Sequence, residues 1–247
     1  MDCAQRRKLD VGARLRRQHA VEYADVTRIV GAILARNEAS EDRYLARVIR
    51  DAQRWADEIV VLDDSSIDGT PELARNLGCK VYTRDSQTPA WGAEAPARAQ
   101  LWDLAAQYAG DGWILVVDAD MLLSGDPRPL AQSWECSAWA WPLYDLWDSE
   151  STFRVDGAWA GGPVTPRPWM FRPSALKAPA VWRDSRLHTG HAPANFAGLV
   201  GVAPQLVWHH LSYVKPAHRR AKHAQYLEFA ASLTPFERQH AASIADG

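Results

Sequence analysis

From residue 28 onward the apolar positions fall into two alternating rhythms. Arg28 to Ala35 (RIVGAILA) and Glu58 to Leu62 (EIVVL) are short, β-branched runs that read as strands buried on both faces. Between them Leu45, Val48, Ile49, Ala52 and Trp55 recur at the spacing of a helix with one apolar face. Thr70-Pro71 opens a second helix, because Pro suits the first helical turn, and Gly78 ends it before a third strand at Cys79 to Thr83. Helical spacing returns over residues 94–109, with Leu101, Leu104, Ala105 and Tyr108 on one side. Trp113 to Val117 (WILVV) is then a fourth strand. Strand and helix alternate, which predicts a parallel sheet with right-handed crossovers.

After residue 121 the alternation dissolves. Pro127, Pro129, Pro142, Pro163, Pro166 and Pro168, with Gly161 and Gly162, interrupt short apolar runs at 138–144 and 169–172. A last helix is expected over 216–231, with Pro216 near its start. The predicted organisation is one α/β domain over 28–247, its regular half at 28–125 and a mixed, loop-rich half at 126–247. Residues 1–27 stand apart as a basic arm, whose first seventeen positions carry Arg6, Arg7, Lys8, Arg14, Arg16 and Arg17 against Asp2 and Asp10. Such an arm is ordinarily solvated; its functional alternative is contact with an acidic acceptor or a membrane surface.

Composition narrows the field only slightly. The 247 residues suit one large α/β domain, and 47% hydrophobic with 23% charged residues is ordinary for a soluble globular chain. A net charge of −2 gives no global case for a polyanionic partner. The three cysteines, Cys3, Cys79 and Cys136, are too scattered for a disulfide framework or zinc site and fit a reducing cytoplasm. No apolar run approaches the length of a membrane span, so a soluble or peripheral location is expected.

Chemistry first enters at Asp118-Ala119-Asp120, directly after the fourth strand. Two carboxylates at the C-terminal end of a strand face the crevice where open α/β sheets bind ligands. Carboxylate oxygens suit Mg²⁺ or Mn²⁺, whose shells are usually completed by substrate phosphates. The pair therefore suggests a metal–diphosphate site. So short a motif recurs by chance, and its position on a strand end is what gives it weight.

Three segments in order carry a family resemblance. Ala35-Arg36-Asn37-Glu38, then Asp57 to Thr70 (DEIVVLDDSSIDGT), then Trp113 to Asp120 (WILVVDAD) resemble family 2 glycosyltransferases of the GT-A fold across about residues 28–125. The chain departs from that pattern at Ile67, where the family usually has Thr, and at Met121, where lipopolysaccharide-core relatives often have Glu. The resemblance implies a Rossmann-like nucleotide-binding sheet and an inverting, metal-dependent transfer of a hexose or N-acetylhexosamine. The donor would be a nucleoside diphosphate sugar, by family frequency a UDP-sugar.

Its site residues follow from the same resemblance. Asp63 or Asp64 would accept hydrogen bonds from the base or ribose, although Ser65, Ser66, Asp68 and Gly69 equally make a capped turn into a helix. Arg36, Asn37 and Glu38 end the first strand, where Asn37 and Glu38 either touch the ribose or cap the next helix. Arg98, on the helix before the Asp118 strand, either approaches the base or diphosphate or is solvated. Asp118 would reach the ribose or a metal-bound water, and Asp120 would ligate Mn²⁺ or Mg²⁺. A late histidine often closes such a site; in Trp208-His209-His210-Leu211 the choice falls on His210 over His209. Lys215 to His223 carries several cations that would screen the diphosphate, hold an anionic acceptor or face solvent. For the catalytic base Asp184 leads, followed by Asp156 and His188.

Acceptors across such a family include lipid-linked sugars, other glycans, small metabolites and hydroxylated nucleobases in DNA, and the basic segments keep a nucleic acid open. Two other classes compete. A nucleotidyltransferase would show a Gly-rich basic loop where Ala35-Arg36-Asn37-Glu38 stands, and a non-catalytic nucleotide-sugar binding module would lack the base.

Overall fold

The computed structural model describes residues 27–84, 94–184, 189–229, 231 and 233–245. The basic arm to residue 26, and His188, lie outside these.

Four parallel strands form the frame: β1 (Ile29–Ala35), β2 (Glu58–Asp63), β3 (Lys80–Thr83) and β4 (Trp113–Asp118). They stand in the order β3-β2-β1-β4, joined through α1 (Leu45–Ala52), α2 (Thr70–Asn76) and α3 (Glu94–Ala109). Successive side chains on a strand point to opposite faces, and the core divides accordingly. Ile29 and Ile33 of β1 pack with Leu45, Val48, Ile49 and Trp55 on the α1 side. Val30 and Ala32 pack with Leu101, Trp102 and Ala105 of α3 on the other. Both faces are covered, which is why these strands read as continuous apolar runs. Gly112 lets β4 enter beside β1: a Cβ there would lie 2.4 Å from the Arg28 carbonyl, the group that accepts the Trp113 amide at 2.8 Å.

The second half extends this sheet and adds another. Strands β5 (Met121–Ser124), β6 (Ala138–Trp141), β7 (Leu143–Asp145), β8 (Arg167–Phe171), β9 (Val200–Val202) and β10 (Val207–His210) follow in the chain. β8 joins β4 antiparallel, then β6 and β9 complete a seven-stranded sheet. β5, β10 and β7 form a three-stranded sheet with β10 in the centre. Trp141, Trp169 and Trp208, all fully buried, fill the space between the sheets, where removing one such side chain costs about 3–5 kcal/mol. Two helices close the described chain, α4 (Pro216–Glu228) and α5 (Pro235–Ala245); α4 ends three residues short of the expected 231.

The carboxyl ends of β1, β2 and β4 come together. Leu34 lies in register with Asp118, and Ala35 with Asp63, so the loops carrying Arg36, Asp64 and Asp120 emerge side by side. β10 adds its own C-terminal end, because His210 pairs with Met121 of β5 and with Asp145 of β7.

Candidate active site

The loops after β1 and β2 are stitched together by side chains. Asn37 adopts a left-handed backbone (φ 53°); its amide donates to Ser66 Oγ at 2.9 Å, and its Oδ1 accepts the Ile67 amide at 3.0 Å. Asp68 accepts the Ala39 amide at 3.1 Å and the Thr70 amide at 2.9 Å, and Thr70 Oγ1 accepts the Glu38 amide at 2.6 Å. Asn37 and Asp68 thus bond across the two loops and hold their geometry. Asp63 and Asp64 are buried. Asp64 receives Arg84 Nη1 at 2.7 Å and lies 3.6 Å from Arg36 Nη1, which also donates to the Asp64 carbonyl at 2.5 Å. Asp63 Oδ2 accepts the Ser66 amide at 3.2 Å, whereas its buried Oδ1 has no hydrogen-bond partner among the described residues.

At the end of β4, Asp118 sits between Arg98 and His191. Arg98 Nη2 reaches its Oδ1 and His191 Nε2 its Oδ2, each at 2.8 Å. Arg98 is 5% exposed and also holds Glu94 at 2.6 Å, so it is not a solvated helix arginine. Burial alone would raise the Asp118 carboxyl, but His191 and Arg98 outweigh it and hold the group well below the ordinary range. It is therefore an anion at neutral pH.

Asp120 faces His210. Burial would raise its carboxyl too, yet the His210 imidazole brings it down to about 2. His210 Nε2 lies 3.4 Å from Asp120 Oδ2, and Nδ1 lies 2.6 Å from Asp145 Oδ1. Backbone bonds lock this row: the Leu211 amide donates to the Asp120 carbonyl at 2.8 Å, and the Leu146 amide to the His210 carbonyl at 2.9 Å. Burial pulls the imidazole down, and Asp120 and Asp145 overcome it, so its proton is held up to about pH 9. Adjacent strand residues point to opposite faces, and His209 accordingly turns away to meet the Tyr144 ring at 6.1 Å.

The Asp120–His210–Asp145 row has the donor set of a divalent-cation site. A metal-binding imidazole commonly gives its second ring N–H to a carboxylate, which fixes the ring and raises its basicity. Asp145 occupies that place. Among the described residues no three His, Cys, Asp or Glu side chains gather closely enough to cage an ion by themselves. Two protein ligands with the rest supplied by phosphate oxygens is an ordinary arrangement for Mg²⁺.

Two further groups surround this row. Burial pushes the Glu38 carboxyl up to about 8 against the counter-effect of Arg43, leaving it a neutral acid at pH 7. Lys222 on α4 holds Ser212 Oγ at 2.8 Å and lies 4.8 Å from the Tyr213 ring centre, and its charge acts on Glu38, Asp120 and His210 alike. Of the proposed bases, Asp184 is exposed. Trp182, two residues before it, packs on Trp102 of α3 at 6.2 Å, and Thr189 and His191 reach Glu94 and Asp118. Asp156 is engaged by Arg154 at 2.6 and 3.0 Å, which lowers its carboxyl and makes it a weaker base. Sequence reasoning missed Asp145, His191 and Arg84, since no local pattern marks a residue whose partner lies in another segment.

Comparison with known proteins locates the regular half. Residues 32–132 match Glycosyl transferase family 2. Among solved structures, S. aureus TarS 1-349 in complex with UDP is 16% identical over 88% of this chain and 69% of that one, with a TM-score of 0.49. Mannosyltransferase PcManGT from Pyrobaculum calidifontis, in complex with GDP-Man and Mn²⁺, is 16% identical over 88% of this chain and 69% of that one, with a TM-score of 0.48. A longer S. aureus TarS structure is 14% identical with a TM-score of 0.47; 88% of this chain aligns to 42% of that one, so the chain spans less than half of its length. The family match and the strand order agree with the α/β, GT-A architecture expected from sequence. No helix among the described residues is long and apolar enough to cross a membrane.

Proposed function

We propose that this chain, whose residues 32–132 match the family 2 glycosyltransferase model, moves a sugar from a nucleoside diphosphate donor to an acceptor hydroxyl with inversion, aided by Mn²⁺ or Mg²⁺. The observation that carries this reading is the Asp120–His210–Asp145 row at the carboxyl end of β4. Asp120 and His210 would hold the cation, with Asp118 beside it. A cation there would neutralise the charge that builds on the departing diphosphate.

The remaining work falls to the chain. Arg98 and His191 keep Asp118 ionised and fixed, ready to accept from a ribose hydroxyl. Asp63 and Asp64, with Arg36, would read the base of the donor; their position at the carboxyl end of β2 beside the end of β1 supports this. Lys222 adds a positive charge close to the phosphates, which favours the product-side charge more than the donor's. The acceptor oxygen attacks the anomeric carbon as the bond from that carbon to the phosphate oxygen breaks. Asp184 takes the acceptor's proton, and no covalent enzyme intermediate is needed. The donor is a UDP-sugar in this proposal, and the acceptor a hydroxyl of a glycan, a lipid-linked sugar or a modified nucleobase. The protein acts as a soluble or membrane-peripheral enzyme.

The test is nucleoside diphosphate release from a panel of UDP- and GDP-sugars with and without Mn²⁺. Cation-dependent release that disappears in Asp120→Asn is expected. Pyrophosphate formed from UTP would replace this reading with a nucleotidyltransferase, and binding without turnover would replace it with a binding module.

A further inference from the structure

Beyond the donor site lies a wide concavity of about 710 Å³, formed by the hairpin that leaves β7 and returns at residue 156. Its connection to the catalytic row is short. The hairpin begins at Asp145, the carboxylate bonded to His210, and closes where the Arg154 amide donates to the Asp145 carbonyl at 3.1 Å. Ring contacts lead the same way, from His210 to Tyr213 at 5.3 Å and from Tyr213 to Trp147 at 5.6 Å.

The lining combines three kinds of group. Phe153 is 40% exposed and stacks on Tyr144, centroids 4.4 Å apart and planes within 23°, so it is a rigid aromatic plate with solvent access. Ser149 and Thr152 place hydroxyls beside it, 2.8 Å from one another. Asp148 and Asp156 bring carboxylates, each matched to a guanidinium: Arg219 to Asp148 at 2.8 Å and Arg154 to Asp156 at 2.6 Å. Asp148 also adopts a left-handed backbone (φ 60°), a conformation that Asp tolerates better than most residues.

We propose that this concavity is the acceptor-side subsite and that it takes a neutral saccharide. An aromatic plate suits the apolar face of a pyranose ring, and fixed carboxylate–guanidinium pairs offer adjacent acceptors and donors to its hydroxyls. Because both acids are paired, the lining carries no uncompensated charge that would select a phosphate or a polyanion, which favours a neutral glycan over nucleic acid or an anionic lipid surface. Asp156 then acts in holding the acceptor. The inference rests on the glycosyl-transfer reading for its role, but binding can be tested apart from activity.

Saturation-transfer NMR on the full chain with Mg²⁺ and UDP would use maltose, lactose and cellobiose as neutral probes. A dT12 oligonucleotide and phosphatidylglycerol vesicles serve as anionic ones. At least one disaccharide is expected to bind, about threefold to tenfold more weakly in Phe153→Ala, with UDP affinity and melting temperature unchanged. Asp148→Asn, which keeps the size of the side chain, should weaken the same probe. The proposal is overturned if no disaccharide binds, if both variants leave saccharide binding unaltered, or if Phe153→Ala instead abolishes oligonucleotide or vesicle binding. Saccharide binding that persists while UDP fails to bind would sink the donor reading and leave this subsite standing.

Discussion

Raising the pH from 7 to 8 should strengthen cation-dependent donor binding about ninefold. The His210 proton is held up to about pH 9 by Asp120 and Asp145 against the opposing effect of burial. A ring nitrogen that carries a proton cannot bind a cation, so proton and metal compete for Nε2. With that value about one hundredth of the imidazole is neutral at pH 7 and about one eleventh at pH 8, a gain on the order of 1 kcal/mol in apparent binding free energy. Between pH 8 and 9 the further gain is about fivefold, and the curve flattens above that. Folding stability moves the opposite way. The imidazolium is stabilised in the folded chain, so its contribution is fully present below the ordinary histidine value of 6.5 and is lost as pH rises through about 9. Calorimetric titration of a UDP-sugar in saturating Mg²⁺, in buffers of different ionisation enthalpy, reads both the affinity and the released proton. Release of about one proton at pH 7 is expected, absent in His210→Gln. Affinity independent of pH between 7 and 8, with no proton released, would refute the assignment of His210 as a ligand.

Other perturbations separate the roles of the surrounding side chains. Asp145→Asn removes the carboxylate that fixes the His210 ring and should weaken cation affinity about 10–100-fold at pH 8.5, with little change in melting temperature; an unchanged cation titration would remove Asp145 from the site. Arg98→Leu leaves Asp118 and Glu94 together without their shared cation, at a cost of about 3–5 kcal/mol, which thermal denaturation should read as a fall of about 10 °C. A melting temperature within a degree or two of wild type would show that the buried ion pair contributes nothing to the fold. Lys222→Ala should raise the Michaelis constant for the donor about tenfold and flatten its dependence on ionic strength, because one positive charge acting at Asp120 is lost; steady-state kinetics at two salt concentrations checks both.

How far the sequence reveals this site depends on which interaction places each residue. Continuous apolar runs encode β1, β2 and β4, because both of their faces are covered, and helical apolar spacing encodes α3, which covers one of those faces. Asp118, Asp120 and the Asp63–Asp64 pair inherit their position from the strand they end. The second half is harder to read, since its strands are three to five residues long and one of them contains a proline. Pro168 sits within β8, where the pairing with β6 shifts register between Trp139 and Ala140, and such an irregularity is where a strand tolerates a missing amide. Choosing His210 over His209 needs the register of β10 against Asp145 and Met121, which no local pattern supplies. His191 and Asp145 are 73 and 65 residues from the partners they touch. Asn37 and Asp68 show the converse: the motif is legible, yet their side chains hold the loop together.

A crystal of the chain grown with UDP and Mn²⁺, measured at a wavelength where manganese scatters anomalously, tests the central claim most directly. A single anomalous peak within bonding reach of Asp120 Oδ2 and His210 Nε2, bridged to the diphosphate, is the predicted result. Well-ordered UDP with no peak there, or a manganese ion bound elsewhere while His210 keeps its 3.4 Å approach to Asp120, would contradict it.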